Sequence, residues 1–344
     1  MRLALVAPFV APIDDRRPQI GGAQAVLADL ATGLAARGHE VTVLAPRGSH
    51  VTGARVEDLG IDADPSEAVG VARGGDSQWR AFAAVGAWLS DRDFAVVHAH
   101  AFDAPAFAAV RGPRALHTLH LPPMDAEVVD AAGRADARLA TVSASCRAAW
   151  AAAGVEVDHV LPNGIAVDSV PAGDGRGGGL AFVGRMSPEK GADAACRVAR
   201  AVAIPLRLAG PIYDAGYFAR AVQPLLGPDV AYLGELDRRA VARLMAESFA
   251  TLMPVRWDEP FGLVALESLA AGTPVIAYAR GGLPEVVVDR HSGRLVPPDD
   301  EPALAAAVHE ARSLRRDDCR ADARRFGLER MLDAHERLYV TIAG

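Results

Sequence analysis

Cysteine is scarce in this chain. Cys146, Cys196 and Cys319 are the three in 344 residues, far apart and odd in number. No CxxC and no Cys/His spacing is present, so a disulfide framework and a thiolate-built metal site are both excluded. Long apolar runs are also missing. The opening "MRLALVAPFVAPIDDRR" is interrupted by Pro8 and Pro12, and no later segment offers about 18 uncharged apolar residues in a row, the length of a membrane span. The opening therefore reads as a first β-strand, and the expected location is cytoplasmic. An excess of basic charge is lacking too: 36 Lys and Arg stand against 43 Asp and Glu, a net −7. That removes the field that draws proteins to nucleic acid or anionic lipid. No GxGxxG follows the first strand, which argues against a nicotinamide-dependent oxidoreductase. No repeat at a period of about 20–50 residues appears either.

What the chain does have is alternation. Short apolar runs (Leu3–Val6, Val41–Leu44, Phe94–His98, Ala115–Thr118, Leu139–Val142, Asp158–Leu161) are separated by longer stretches, several with helical spacing, such as "AQAVLADLATGLAARGHE" ending at Gly38. A glycine-rich stretch, "PAGDGRGGG" at 171–179, reads as a linker. After it the alternation restarts at Leu180–Val183, Leu206–Ala209, Val230–Leu233, Ala250–Met253 and Pro274–Ala277. Strands alternating with helices imply parallel sheets. The reading is α/β, two Rossmann-like doubly wound domains facing across a cleft. Residues 1–168 form the first, 169–325 the second, and 326–344 a helix returning to the first. Ligands of such sheets sit outside the carboxyl ends of strands, so functional motifs are expected there.

"RWDEPFGLVALESLAAGTPVIA", from Arg256, is the most informative stretch. Pro260 suits a first helical position. Phe261, Gly262 and Leu263 would then offer backbone N–H groups to an anion, with Gly262 allowing close approach. Glu267 lies a turn beyond Leu263 on the same face, placed to accept hydrogen bonds from a cis-diol, and Glu259 precedes the helix where sugar hydroxyls would lie. The competing reading makes Glu267 a solvated helix residue and Glu259 a capping acid. In "AFVGRMSPEKG", Gly184 opens a loop directly after a strand, and Arg185 and Lys190 are two cations suited to a diphosphate. The alternative there is a surface charge pair with Glu189. In "QIGGAQ", Gly21 and Gly22 precede a helix and admit a phosphate or sugar to the backbone.

Histidines mark two neighbouring strand ends: His98 and His100 in "VVHAH", His117 and His120 in "TLHLPP". They lack a carboxylate partner at metal-site spacing, and no metal is expected. One or two of them would line the cleft as hydrogen-bond donors, with His120 the most exposed and the others structural. Trp257 either walls the site or is buried.

Taken in order, "IGGAQ", "VVHAH", "TLH", "TVSAS", "LPNGI", "VGRMSPEKG", "LAGP", "YLGEL", "EPFGLVALESLAAGTPVIA" and "GGLPEVV" resemble the family 4 glycosyltransferases, retaining enzymes of GT-B fold. The likeness runs from Gly21 to the last helix, and the Glu259/Glu267 pair is its most specific piece. It implies that Arg185 and Lys190 hold the donor diphosphate and Glu267 the ribose. Glu259 and the amides of Phe261, Gly262 and Leu263 would hold the sugar and distal phosphate, Gly21 and Gly22 would close on that phosphate, and His120 would contact the sugar near its reacting carbon. The catalytic set is thus His120, Arg185, Lys190 and Glu259. The donor set is Gly21, Gly22, Gly184, Arg185, Lys190, Glu259, Phe261, Gly262, Leu263 and Glu267. No cofactor is implied: the nucleotide sugar, UDP-linked by preference, is a substrate, and the two cations stand in for a divalent ion. Transfer would go to a hydroxyl acceptor, a sugar, lipid-linked sugar or secondary metabolite, by front-face attack. Glu259 is the one nucleophile candidate otherwise. Membrane contact would be peripheral at most, and nucleic acid is no partner.

Two departures from the family concern the acceptor: the motif-poor segment from Gly48 to Val85, and Leu121 where a glycine is commoner. The rival readings are another nucleotide-sugar enzyme of the same fold, such as a hydrolysing epimerase, and a binding protein without turnover. Intact Arg185, Lys190, Glu259 and Glu267 speak against the last.

Overall fold

The structure is a computed structural model that describes residues 1–16, 21–65, 76–174 and 176–344. Ile20 of "IGGAQ", residues 66–75 of the motif-poor segment and Gly175 of the glycine-rich stretch lie outside the described residues. The chain forms two compact units, Met1–Gly164 with Leu328–Gly344, and Ile165–Gly327.

The first unit is built on β1 (Arg2–Val6), β2 (Glu40–Leu44), β3 (Arg55–Glu57), β4 (Val96–Ala99), β5 (Ala115–Leu119), β6 (Arg138–Thr141) and β7 (His159–Val160). All pair in parallel, in the order β3-β2-β1-β4-β5-β6-β7. Helices between the strands cover both faces, which is why β1 and β5 are buried almost residue by residue rather than at alternate positions. Val6, Phe9 and Phe82 belong to one buried cluster, Phe107, Leu119 and Trp150 to another. The helix Gly22–Ala36 ends as expected at Gly38, whose φ of +86° suits glycine. The last helix, Leu328–Ala343, buries Met331, Leu332, His335, Leu338, Tyr339 and Ile342, a single stripe at helical spacing. A Cβ on Gly33 would lie 2.6 Å from Leu332 Cδ1, so the two helices approach as closely as a glycine permits. Arg37 adds ion pairs to Glu329, Asp333 and Glu336.

The second unit carries β8 (Leu180–Val183), β9 (Leu206–Ala209), β10 (Val230–Tyr232), β11 (Ala250–Met253), β12 (Val275–Tyr278) and β13 (Gly293–Val296). These pair in parallel as β10-β9-β8-β11-β12-β13 around a core that includes Phe182, Leu208, Leu252 and Ile276. In each unit the strand order reverses once, between β1 and β4 and between β8 and β11. Such a reversal is where an open parallel sheet leaves room for a ligand.

The glycine-rich stretch is not a linker. It lies inside the second unit as a strap: Gly173 N–H donates to Ala271 O at 3.0 Å and Gly177 N–H to Glu247 O at 3.1 Å. Arg316 donates to Gly173 O (2.8 Å), Ala246 O (2.8 Å) and Ser248 O (3.1 Å). A Cβ on Gly173 would fall 1.7 Å from Ala246 O, so its glycine serves close packing rather than freedom.

Candidate active site

The two motifs of the second unit follow β8 and β11, the strands that flank its reversal. After β8 the chain turns at Gly184, whose carbonyl would meet a Cβ on Gly210 at 2.0 Å. Gly210 has φ +138°, so glycine is required for that approach. Arg185 then lies over the Tyr213 ring at 4.5 Å and donates to Glu189 Oε1 at 3.1 Å, the charge pair foreseen as the alternative. Lys190 turns instead to the other motif. Its Nζ is 2.7 Å from Glu259 Oε2, and it sits 4.6 Å over the Trp257 ring. Trp257 Nε1 donates to the same carboxylate oxygen at 2.8 Å, so Trp257 is part of the site's hydrogen bonding.

Arg256 locks the two turns together. Its backbone N–H donates to Glu189 O at 2.8 Å, and its guanidinium forks onto Asp193 at 2.9 and 2.8 Å. Asp193 also accepts from Tyr217 Oη at 2.5 Å and from Arg197 at 3.0 Å. Burial alone would raise this carboxyl; the Arg256 fork and the Tyr217 hydroxyl outweigh it and bring it down to about 2. Asp193 in turn raises Tyr217, which burial has already pushed up. Sequence reading missed this network, because nothing local links Arg256 to an aspartate 63 positions earlier.

The helix after β11 begins at Leu263, not at Pro260: Leu263–Ala270, with Gly262 as its N-cap at φ +99°. Pro260 belongs to the turn before it. The left-handed Gly262 supplies the sharp entry that a proline start would not, and a Cβ there would meet Leu283 Cδ2 at 2.7 Å. The amides of the first turn are therefore those of Leu263, Val264 and Ala265, while Phe261 and Gly262 precede it. The Phe261 side chain goes inward and meets Phe326 edge to face at 5.4 Å. Glu267 is half-buried on the same helix. Gly281 and Gly282 back the turn: Gly282 N–H donates to Glu259 O at 2.7 Å.

The remaining candidates belong to the first unit. Gly21 is the extended N-cap of the helix Gly22–Ala36, and Gly22, exposed, is its first residue. His120, at 7%, is the most exposed of the four histidines, as expected, although it too is buried. Its Nε2 lies 2.9 Å from His100 Nδ1. His98 is held by Tyr339 Oη and Thr118 Oγ1, both at 2.7 Å, and His117 Nε2 by Val110 O at 2.7 Å. Burial lowers all of them, His117 to about 4 and His120 to about 3, so they are neutral near pH 7. Among the described residues, the side chains whose potential metal-ligating atoms come within 4.8 Å of one another are Asp14, Asp15 and His50. Asp14 is already paired with Arg16, and Asp15 with His50 and the Thr52 amide. No helix of the described residues is long and apolar enough to cross a membrane.

Residues 20–169 match the family described as Glycosyltransferase Family 4, and residues 177–326 match Glycosyl transferases group 1. The phosphatidyl-myo-inositol mannosyltransferase of Mycolicibacterium smegmatis is 30% identical over 336 residues, covering 90% of this chain and 84% of that one. Among solved structures, sucrose-phosphate synthase from Thermosynechococcus elongatus superposes with a TM-score of 0.78 at 21% identity, covering 99% of both chains. The glycosyltransferase AviGT4, involved in avilamycin A biosynthesis, superposes at 0.75 with 26% identity, covering 100% of this chain and 98% of that one. With parallel sheets of seven and six strands, and with both family matches and the mannosyltransferase likeness running along it, this chain belongs to the family 4 glycosyltransferases and has their GT-B fold.

Proposed function

We propose that this glycosyltransferase moves a hexosyl group from a nucleoside diphosphate sugar to a hydroxyl acceptor with retention of anomeric configuration. The second unit would hold the donor. The observation that carries the reading is Lys190 beside Glu259: it joins a diphosphate-type cation to the turn that would hold the sugar. Arg185 and Lys190 would take the charge that develops on the departing diphosphate, the task a divalent ion performs elsewhere, so no metal is required. Glu267 would accept from the ribose hydroxyls, and the amides at the start of its helix would meet the distal phosphate. The acceptor oxygen would bond to the anomeric carbon on the face from which the C–O bond to phosphate breaks. Its proton would pass to the leaving phosphate oxygen.

UDP is the first base to test, being the commonest in the family. The mannosyltransferase relative supports a hexosyl group, and its phosphatidyl-myo-inositol supports a polyol hydroxyl, free or lipid-linked, as acceptor. The first unit would bind that acceptor, and His120 is its contribution to the reaction. The test is thermal unfolding of wild type and Glu267→Ala with UDP, GDP, dTDP, ADP and NAD. A ligand at about 100 times its Kd adds about 2.7 kcal/mol. A shift with one nucleoside diphosphate, lost in the variant, identifies the base and supports the ribose role. A shift with NAD alone, or with nothing, overturns the reading.

A further inference from the structure

His100 directly follows β4 and His120 directly follows β5, two adjacent parallel strands. The His100 backbone is tied down, its N–H donating to Val6 O at 2.8 Å. Its ring is clamped between two others, 4.0 Å from His98 and 5.1 Å from His120. Its Nδ1 faces His120 Nε2 at 2.9 Å, while its Nε2 is sealed from solvent with no hydrogen-bond partner.

Those facts decide where the protons sit. A neutral imidazole carries one N–H and one lone pair. If the His100 proton were on Nε2, a buried N–H would be orphaned, a rarer and costlier defect than a bare lone pair. The proton therefore sits on Nδ1 and is donated to His120 Nε2. His120, neutral because it is buried, must then carry its own proton on Nδ1. That nitrogen has no hydrogen-bond partner among the described residues and is not among the sealed atoms.

We infer that His100 is a positioning residue: through its Nδ1–H it fixes the tautomer and ring plane of His120, so that His120 presents one neutral N–H donor. What that donor meets, a hydroxyl or a phosphate oxygen of the donor sugar, rests on the transfer reading above. The tautomer does not.

The experiment is long-range ¹H–¹⁵N correlation on protein labelled at its histidines, with His120→Asn used to assign the His120 signals, alongside steady-state kinetics. Wild-type His120 should show a protonated Nδ1 and a bare Nε2. His100→Leu should mix the tautomers and lower kcat about ten- to a hundredfold with KM for the donor nearly unchanged. His100→Asn, whose amide places an N–H near the lost Nδ1–H, should keep the tautomer and most of the rate. In the His120→Asn background, His100→Leu should add almost nothing. A His120 proton found on Nε2 in the wild type overturns the inference, as do rate losses from the two positions that multiply independently. If no nucleotide sugar is turned over, the transfer reading fails, and the nitrogen shifts still decide the role of His100.

Discussion

Lys190 Nζ and Glu259 Oε2 lie 2.7 Å apart although 69 residues separate them in the chain. The pair joins the loop after β8 to the loop after β11 across the reversal of strand order. With Lys190 about one-fifth and Glu259 about one-eighth exposed, the contact is partly shielded from water, and Trp257 bonds to the same oxygen. On the proposed function, a diphosphate beside Lys190 would meet a cation already held in place, with the Glu259 carboxylate balancing its charge.

The first prediction follows from that arrangement. Lys190→Ala should lower kcat by about a hundred- to a thousandfold, the scale seen when a donor aimed at developing charge is removed. Affinity for the nucleoside diphosphate should fall much less, because Arg185 and the helix amides remain. Initial rates and titration calorimetry on one preparation separate the two effects. Unchanged turnover would remove Lys190 from the mechanism.

Arg256 is predicted to matter for rigidity first and rate second. Arg256→Ala leaves Asp193 with Arg197 and Tyr217 but without its fork. The loss should be about 1.5–3 kcal/mol, the range for a charge-assisted hydrogen bond, toward the low end because Arg256 is about one-third exposed. Arg256→Lys keeps the charge but cannot reproduce the two parallel bonds, and should recover only part of it. Urea unfolding of the three proteins tests this. An alanine variant as stable as wild type would mean the network is ornamental.

Much of this site was legible because parallel strands buried on both faces write themselves as apolar runs. β8, β11 and β12 are such runs, and the motifs could be placed at their ends. β3 escaped because it is an edge strand of three residues, "RVE", with two charges. β13, "GRLV", escaped because it carries Arg294, buried but paired with Asp289 and Glu310. The glycine-rich strap was misread since composition cannot tell a glycine that gives freedom from one that gives close approach. The partners of Lys190, Arg256 and His100 were invisible for a different reason. Each is created by strand adjacency, not by local spacing.

Acid should weaken the first unit in a defined window. His117, His120 and His335 are lowered by burial to about 4, 3 and 4 from an ordinary 6.5, and His98 and His100 move the same way. As pH falls below 6.5 the unfolded chain takes up protons that the folded one refuses. The stability these groups contribute is therefore complete above 6.5 and is lost progressively toward 3–4. Each such histidine contributes a slope of up to about 1.4 kcal/mol per pH unit in that window. Trp79, Trp88 and Trp150 lie in the first unit and Trp257 in the second, so fluorescence-detected urea unfolding in a Trp257→Phe background follows the first unit. His335→Gln, which retains a donor for the Met331 carbonyl, should flatten the dependence by about one proton. A slope equal to wild type would contradict the burial argument.

Glycine positions give a sharper contrast. Gly38 and Gly281 both have positive φ, +86° and +57°, so a side chain strains the backbone at either. Around Gly38 nothing lies within 4 Å of an added Cβ, and Gly38→Ala should cost only about 1 kcal/mol. At Gly281 the same carbon would sit 2.3 Å from Glu259 O and 2.5 Å from Glu259 N. Neither is a flexible side-chain end, so the turn that carries Glu259 must move. Gly281→Ala should therefore lose turnover out of proportion to its loss of stability, since a shift of about 1 Å at a positioning turn is enough to cost about a hundredfold. Gly38→Ala should keep full activity. Measuring the melting temperature and kcat of both variants decides it. If Gly281→Ala retains wild-type kcat, the placement of Glu259 tolerates displacement, and the carboxylate is not held for a role in transfer.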